Sequence, residues 1–80
     1  MDWEQRIESN KNVLLGKPVI KGTRISVEFI LDRLAHGWSE EQLLQSYPHL
    51  EKQDLQAVFG YLNECVKDGL IREINRKTAQ

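Results

Sequence analysis

Gly16-Lys17-Pro18-Val19-Ile20-Lys21-Gly22-Thr23-Arg24-Ile25-Ser26-Val27 packs two glycines, a proline and three cations into twelve residues. Gly22 stands where Ile20 and Ile25 must be brought round a tight bend, and glycine alone reaches positive φ without a Cβ penalty. Pro18 fixes φ one residue before an apolar pair, so the stretch reads as an ordered loop or narrow hairpin that leads into a helix. Nothing in it has the look of a generic linker.

Downstream, Val27, Ile30, Leu31, Leu34 and Trp38 follow the spacing of one helical face, with Ser26 placed to cap the first turn and Gly37 to end the helix. Ser39-Glu40-Glu41-Gln42 has the form of a capping box and opens a short second helix that buries Leu43, Leu44 and Tyr47 before Pro48 stops it. A third and longest helix begins after Leu50. Its apolar stripe is Leu55, Val58, Phe59, Leu62 and Val66, and it ends near Gly69. The rotation of about 100° per residue turns Gln53, Ala57, Gly60 and Glu64 outward, flanked by Gln56, Tyr61 and Lys67.

Upstream of the glycine stretch, Trp3, Gln5 and Ile7 alternate with charged residues, which predicts a short strand. Leu70, Arg72 and Ile74 alternate with Ile71 and Glu73, which predicts a closing strand before a polar end. The expected fold is mainly α: a three-helix, homeodomain-like helix-turn-helix core with a short N-terminal β element and this C-terminal strand. Residues 1–80 read as a single domain without repeats or an internal linker.

A chain of 80 residues, 40% hydrophobic and 29% charged, is near the size at which one core is only just sufficient, so stabilisation by a partner or a second copy is expected. No run approaches the roughly 18 apolar residues of a membrane span. Met1-Asp2-Trp3-Glu4 is acidic and lacks a signal-peptide core, so the expected location is cytoplasmic. Cys65 has no second cysteine in the chain and reads as a small, half-buried hydrophobe.

The formal charge of -1 conceals a division. Residues 9–33 are net positive through Lys11, Lys17, Lys21, Arg24 and Arg33, residues 39–68 are net negative, and Arg72, Arg76 and Lys77 make the end positive again. A polyanion should prefer the two ends to the middle.

Catalytic chemistry finds little support. A phosphate-binding loop needs lysine between its last glycine and the hydroxyl residue, and here Lys21 precedes Gly22. His36, His49 and Cys65 lie on three different elements without metal-ligand spacing. His36 suits the C-terminal dipole of the first helix, and Glu28 with Asp32 reads as a solvated i, i+4 pair. The chain is therefore expected to be no enzyme, with neither cofactor nor metal.

Binding is the better expectation. A short helix, a turn and a longer helix form the helix-turn-helix order, in which Lys52, Gln53 and Gln56 would face bases while Lys17, Lys21 and Arg24 hold phosphates. The net charge of residues 51–68 is negative, which opposes that reading. Ala57 and Gly60, three apart beside Tyr61, would instead let another backbone come close, as in packing of a protein helix or a two-fold copy. Phe29 falls off the main stripe of its helix and is a further partner candidate, whereas Trp3 and Trp38 read first as core anchors.

The G-K-P-x-I-x-G-T-R core at Gly16 to Arg24, with Ile25-Ser26-Val27, Ile30-Leu31, Leu34-Ala35-x-Gly37-x-Ser39-x-Glu41, Tyr47-Pro48-x-Leu50 and Asp54-Leu55, closely resembles the small prokaryotic domain-of-unknown-function family four-three-three. The resemblance covers about residues 3–66 and leaves 67–80 as an extension. It implies a helix-turn-helix protein with a short N-terminal β element. Many members are read as VapB-type antitoxins encoded beside a PIN-like ribonuclease toxin, while others have no assigned role.

For this chain the resemblance implies inhibition by binding, with the toxin supplying the nuclease carboxylates and metal, and autoregulation through operator DNA. In that reading a helix face or the stretch from Leu70 to Arg76 covers the toxin's groove, with Arg72 or Arg76 pairing to its carboxylates. A homodimer is expected. The alternatives are a stand-alone DNA-binding regulator and an orphan interaction domain. Family members often carry serine or threonine where Glu51 stands, which predicts a weak N-cap for the third helix.

Overall fold

The computed structural model describes residues 2–69. The closing strand expected at residues 70–74, and with it Arg72 and Arg76, lies outside the described residues. Within them the chain runs through a one-turn 3-10 helix (Trp3–Gln5), β1 (Ile7–Glu8), a second 3-10 turn (Leu14–Gly16), β2 (Val19–Ile20), α1 (Val27–Ala35), α2 (Glu40–Ser46) and α3 (Lys52–Lys67). The fold is three helices with a small antiparallel two-stranded sheet, β1 on β2, in the register Ile7 with Ile20 and Glu8 with Val19.

The glycine stretch forms the narrow hairpin its residues predict. Val19 pairs back on Ser26, the Ile20 amide donates to the Ile25 carbonyl at 2.9 Å, and the Val27 amide to the Pro18 carbonyl at 3.0 Å. Gly22 turns the bend at φ +77°. Thr23 fastens it: its hydroxyl donates to the Ile20 carbonyl at 2.8 Å and accepts from the Ile25 amide at 3.0 Å. Arg24, the next residue after Thr23, is exposed.

Each helix end has an identifiable cause. Ser26 Oγ accepts from the Phe29 amide at 2.9 Å and starts α1. A Schellman turn ends it, with the Gly37 amide on the Leu34 carbonyl (3.1 Å) and the Trp38 amide on the Arg33 carbonyl (3.0 Å). The predicted capping box opens α2: the Gln42 amide donates to Ser39 Oγ at 3.0 Å, and the Ser39 amide to Gln42 Oε1 at 2.8 Å. The start of α3 is better held than Glu51 alone suggests, because the Asp54 carboxylate reaches back to accept from the Glu51 amide at 2.8 Å.

Three expectations are corrected. The strand predicted over Trp3, Gln5 and Ile7 is a 3-10 turn followed by a two-residue strand, since Trp3 packs sideways on α3 and only Ile7 and Glu8 reach β2. Phe59 and Val66, expected in the buried stripe of α3, are 46% and 59% exposed. Ala57, expected on its outward face, is completely buried. The last two share one cause. The N-terminal turn and β1 pack on α3 as well as α2, so its buried arc is rotated toward Asp54, Ala57 and Val58.

The core is Ile7, Val19 and Ile20 from the sheet, Val27 and Ile30 from α1, Leu43 from α2, Leu50, and Leu55, Ala57 and Val58 from α3. Among the described residues, two apolar surfaces lie outside this core.

Candidate interaction surfaces

The outward stripe of α3 is the first. Lys52, Gln53 and Gln56 are exposed on its first turns, as the helix-turn-helix reading requires. Phe59, Asn63 and Val66 continue the exposed stripe along the helix, and Lys67 lies at its far end. The acidic residues of this helix are drawn elsewhere. Asp54 is only 4% exposed and receives Arg6 Nη1 at 2.9 Å, and the same nitrogen reaches Glu51 Oε1 at 3.0 Å. Glu64 Oε2 accepts from the Trp3 indole at 2.7 Å, at the edge that faces the N-terminal turn. The Arg6 guanidinium is held charged more firmly than usual, chiefly by its hydrogen bond to Asp54 and then by that to Glu51.

The stripe thus carries two lysines, three side-chain amides and two apolar residues, and no carboxylate between them. Linear charge counting cannot separate a helix's outward charges from those turned into its own fold. Phe59 and Val66 read as buried in the sequence because they complete a regular apolar spacing. The signal that could have placed them outside is Trp3, a large ring whose side chain packs over the small residue Gly60.

Gly60 and Tyr61 prove to be part of the monomer's own packing. A Cβ at Gly60 would stand 3.6 Å from Trp3 Cβ and Cδ1, and the Tyr61 ring meets the Trp3 ring edge-on with centroids 4.9 Å apart. What comes close here is not another backbone but the Trp3 side chain of the chain's own N-terminal turn. Burial pushes the Tyr61 phenol above its ordinary pKa, with the neighbouring Cys65 adding to the shift. Phe29 is half-buried, edge-on to Tyr47 at 5.4 Å and beneath the Arg33 guanidinium at 4.6 Å. Trp38 is half-buried and stacks on Tyr47.

The expected phosphate-facing cations are split. Lys21 borders a hollow with His49 and Glu51, next to the start of α3. Arg24 is exposed, two residues beyond Gly22. Lys17 lies apart from them, in an ion pair with Glu28 at 2.8 Å. Among the described residues, no three His, Cys, Asp or Glu side chains come together as a metal site, and no helix is long and apolar enough to cross a membrane.

The second surface has no counterpart in the sequence pattern. Leu14 and Leu15 both occupy the left-handed region, at φ +49° and +58°, and Leu15 is 93% exposed. Such backbone costs a non-glycine residue about 1–2 kcal/mol. Beyond the Lys17–Glu28 pair opens an apolar groove between α1 and α3 of about 430 Å³, lined by Pro18, Val27, Leu31, Tyr61, Leu62 and Cys65.

Residues 7–62 match a family described as "Protein of unknown function (DUF433)". The chain belongs to the DUF433 family. Those residues run from β1 through most of α3, so the hairpin, α1, α2 and the α3 stripe as far as Phe59 all fall within the DUF433 match. A crystal structure of a DUF433 member protein from Anabaena variabilis superposes with a TM-score of 0.72 at 29% identity, over 94% of this chain and 69% of that one. The uncharacterized protein y4eO of Sinorhizobium fredii is 31% identical over 55 residues, which are 69% of this chain. This DUF433 chain spans 25% of the length of that curated relative.

Proposed function

We propose that this DUF433 domain is a non-enzymatic, antitoxin-like module that inhibits a PIN-like ribonuclease by covering its catalytic groove. The observation that carries the reading is the outward stripe of α3. Phe59 and Val66 stand uncovered between Lys52, Gln56, Asn63 and Lys67, and the acidic groups Glu51, Asp54 and Glu64 are bound elsewhere. A nuclease groove that holds metal is lined with carboxylates, and it is complemented by apolar anchors flanked by cations rather than by an acidic helix. Arg72 and Arg76, in the sequence beyond α3, would extend the same complementarity.

The test is inhibition. The full chain is co-expressed with the product of the adjacent reading frame, and copurification and ribonuclease activity are measured for the native chain and for Phe59→Asp and Val66→Asp. Loss of inhibition in both variants with unchanged circular dichroism supports the reading. Full inhibition by both rules out this face.

The same stripe supports a second reading, as an operator-binding helix. Gln53, Gln56 and Asn63 carry the amide groups that pair with adenine edges, and Lys52 and Lys21 lie at the end of α3 where phosphates would pass. Gel-shift titration at several salt concentrations separates the two. Binding of upstream DNA by this chain alone, with a steep salt dependence, favours the regulator. Binding that needs the neighbouring protein favours the antitoxin pair.

A further inference from the structure

We infer that residues 70–74 turn back over the end of α3 and cover the α1–α3 groove of the same chain, Leu70 against Cys65, with Ile71 and Ile74 supplying further apolar contacts. This goes beyond inhibition or DNA binding and depends on neither. It uses the apolar residues of that stretch and none of its cations.

The end of α3 gives the direction. The Gly69 amide donates to the Val66 carbonyl at 3.2 Å, and Gly69 lies at φ +72°. These are the glycine and one of the two hydrogen bonds of a Schellman turn, in which the residue after the glycine packs on the residue five positions before it. Here those two residues are Leu70 and Cys65. The end of α1 shows the same turn complete. Gly37 lies at φ +93°, its amide meets the Leu34 carbonyl, and Trp38 lies over Arg33, five positions back, with the guanidinium carbon 5.5 Å from the ring centroid.

Cys65 is half-buried and lines the groove, followed along α3 by Leu62 and Tyr61 and faced by Leu31 of α1. The charged residue on the rim, Glu28, is already bound by Lys17 at 2.8 Å, so what the groove offers is apolar surface. Beyond Gly69 the apolar side chains are Leu70, Ile71 and Ile74, with only Ala79 after them. Their reach fits. Tyr61 lies eight positions before Gly69, about 12 Å along a helix, and five extended residues span about 16–18 Å. A second copy or another protein would have to bring an apolar segment from solution, whereas this chain carries one next to the groove, where closing a short loop costs little entropy.

The experiment uses the full chain at low concentration. Nuclear Overhauser contacts are expected from the methyls of Ile71 or Ile74 to those of Leu31 and Leu62. They are measured on the native chain, so they stand whatever a variant does. Cys65, the one cysteine of the chain, is the second probe. Its reaction with an aromatic disulfide reagent should be at least about tenfold faster in Leu70→Asp/Ile74→Asp, because a covered thiol reacts only when its cover opens. Circular dichroism of that variant should be unchanged, since the core of the three helices lies elsewhere. Absence of the methyl contacts overturns the inference, as does a Cys65 that reacts equally fast in both chains. Contacts found only between differently labelled copies would assign the groove to a second copy and overturn it as well.

Discussion

Arg6 and Asp54, 48 positions apart, meet at 2.9 Å, and Asp54 uses its other carboxylate oxygen to accept from the Glu51 amide. One side chain therefore caps α3 and ties it to the chain entering β1. Asp54→Ala should lower the free energy of unfolding by about 2 kcal/mol, the combined effect of a lost cap and a lost charge-assisted bond. Urea denaturation provides the measure. Arg6→Met should also destabilise, because it leaves a carboxylate buried without its cation, and the double variant should lose less than the two single changes together. A loss below about 0.5 kcal/mol in Asp54→Ala would show that this tie holds little of the fold.

Gly22 and Gly60 should respond in opposite directions to alanine. Gly22 lies at φ +77° with open space around it, so Gly22→Ala incurs only the backbone cost and should destabilise by about 1 kcal/mol. Gly60 is helical, and a methyl there would make ordinary contact with Trp3. Gly60→Ala should stabilise by about 0.5–1 kcal/mol through helix propensity. Thermal melts of both variants decide it, and a destabilised Gly60→Ala would mean that Trp3 sits too close to α3 for a methyl to fit.

Ser39→Ala removes the hydroxyl from the capping box of α2 and should cost about 1 kcal/mol. Ser39→Asp should retain most of that stability, since a carboxylate accepts from the same amide and suits the helix dipole. Chemical denaturation of the pair separates capping from any other role of the serine.

Lys17 holds the Glu28 carboxyl below its ordinary range, first by its hydrogen bond and then by its charge. A depressed folded-state value means that the pair's contribution is present above the ordinary carboxylate pKa and is lost as pH falls through the lower, folded value. Both side chains are largely exposed, so salt should screen the effect. NMR titration should show the Glu28 midpoint rising toward its ordinary value in Lys17→Met and at high salt. An unchanged midpoint in Lys17→Met would place the cause elsewhere.

The helices were legible because their signals are local. Ser26 and Ser39 cap by bonds that span three residues, Pro48 interrupts the chain directly after Tyr47, and Gly22 meets a φ requirement of its own bend. The exposed stripe of α3 was half legible. Lys52, Gln53 and Gln56 are outward, as helical phase and polarity require, but Ala57 and Phe59 exchange places between inside and outside. An amphipathic pattern fixes a helix's buried face only when one neighbour covers it, and α3 has several. The Leu14–Leu15 turn gave no signal at all, because two leucines beside a glycine read like any other apolar run.

Residue order by itself determined three helices, the serine caps of α1 and α2 and the Gly22 hairpin, since each depends on bonds and backbone preferences within a few positions. Its G-K-P-x-I-x-G-T-R segment also carried the family. Tertiary structure alone decided which residues of α3 are left exposed. Trp3 reaches 61 positions along the chain to Glu64, and Arg6 reaches 48 to Asp54. By taking up the small residues and the carboxylates of α3, these two contacts leave Phe59, Asn63 and Val66 outside. That choice comes from competition between distant surfaces for the same helix, which no local spacing records.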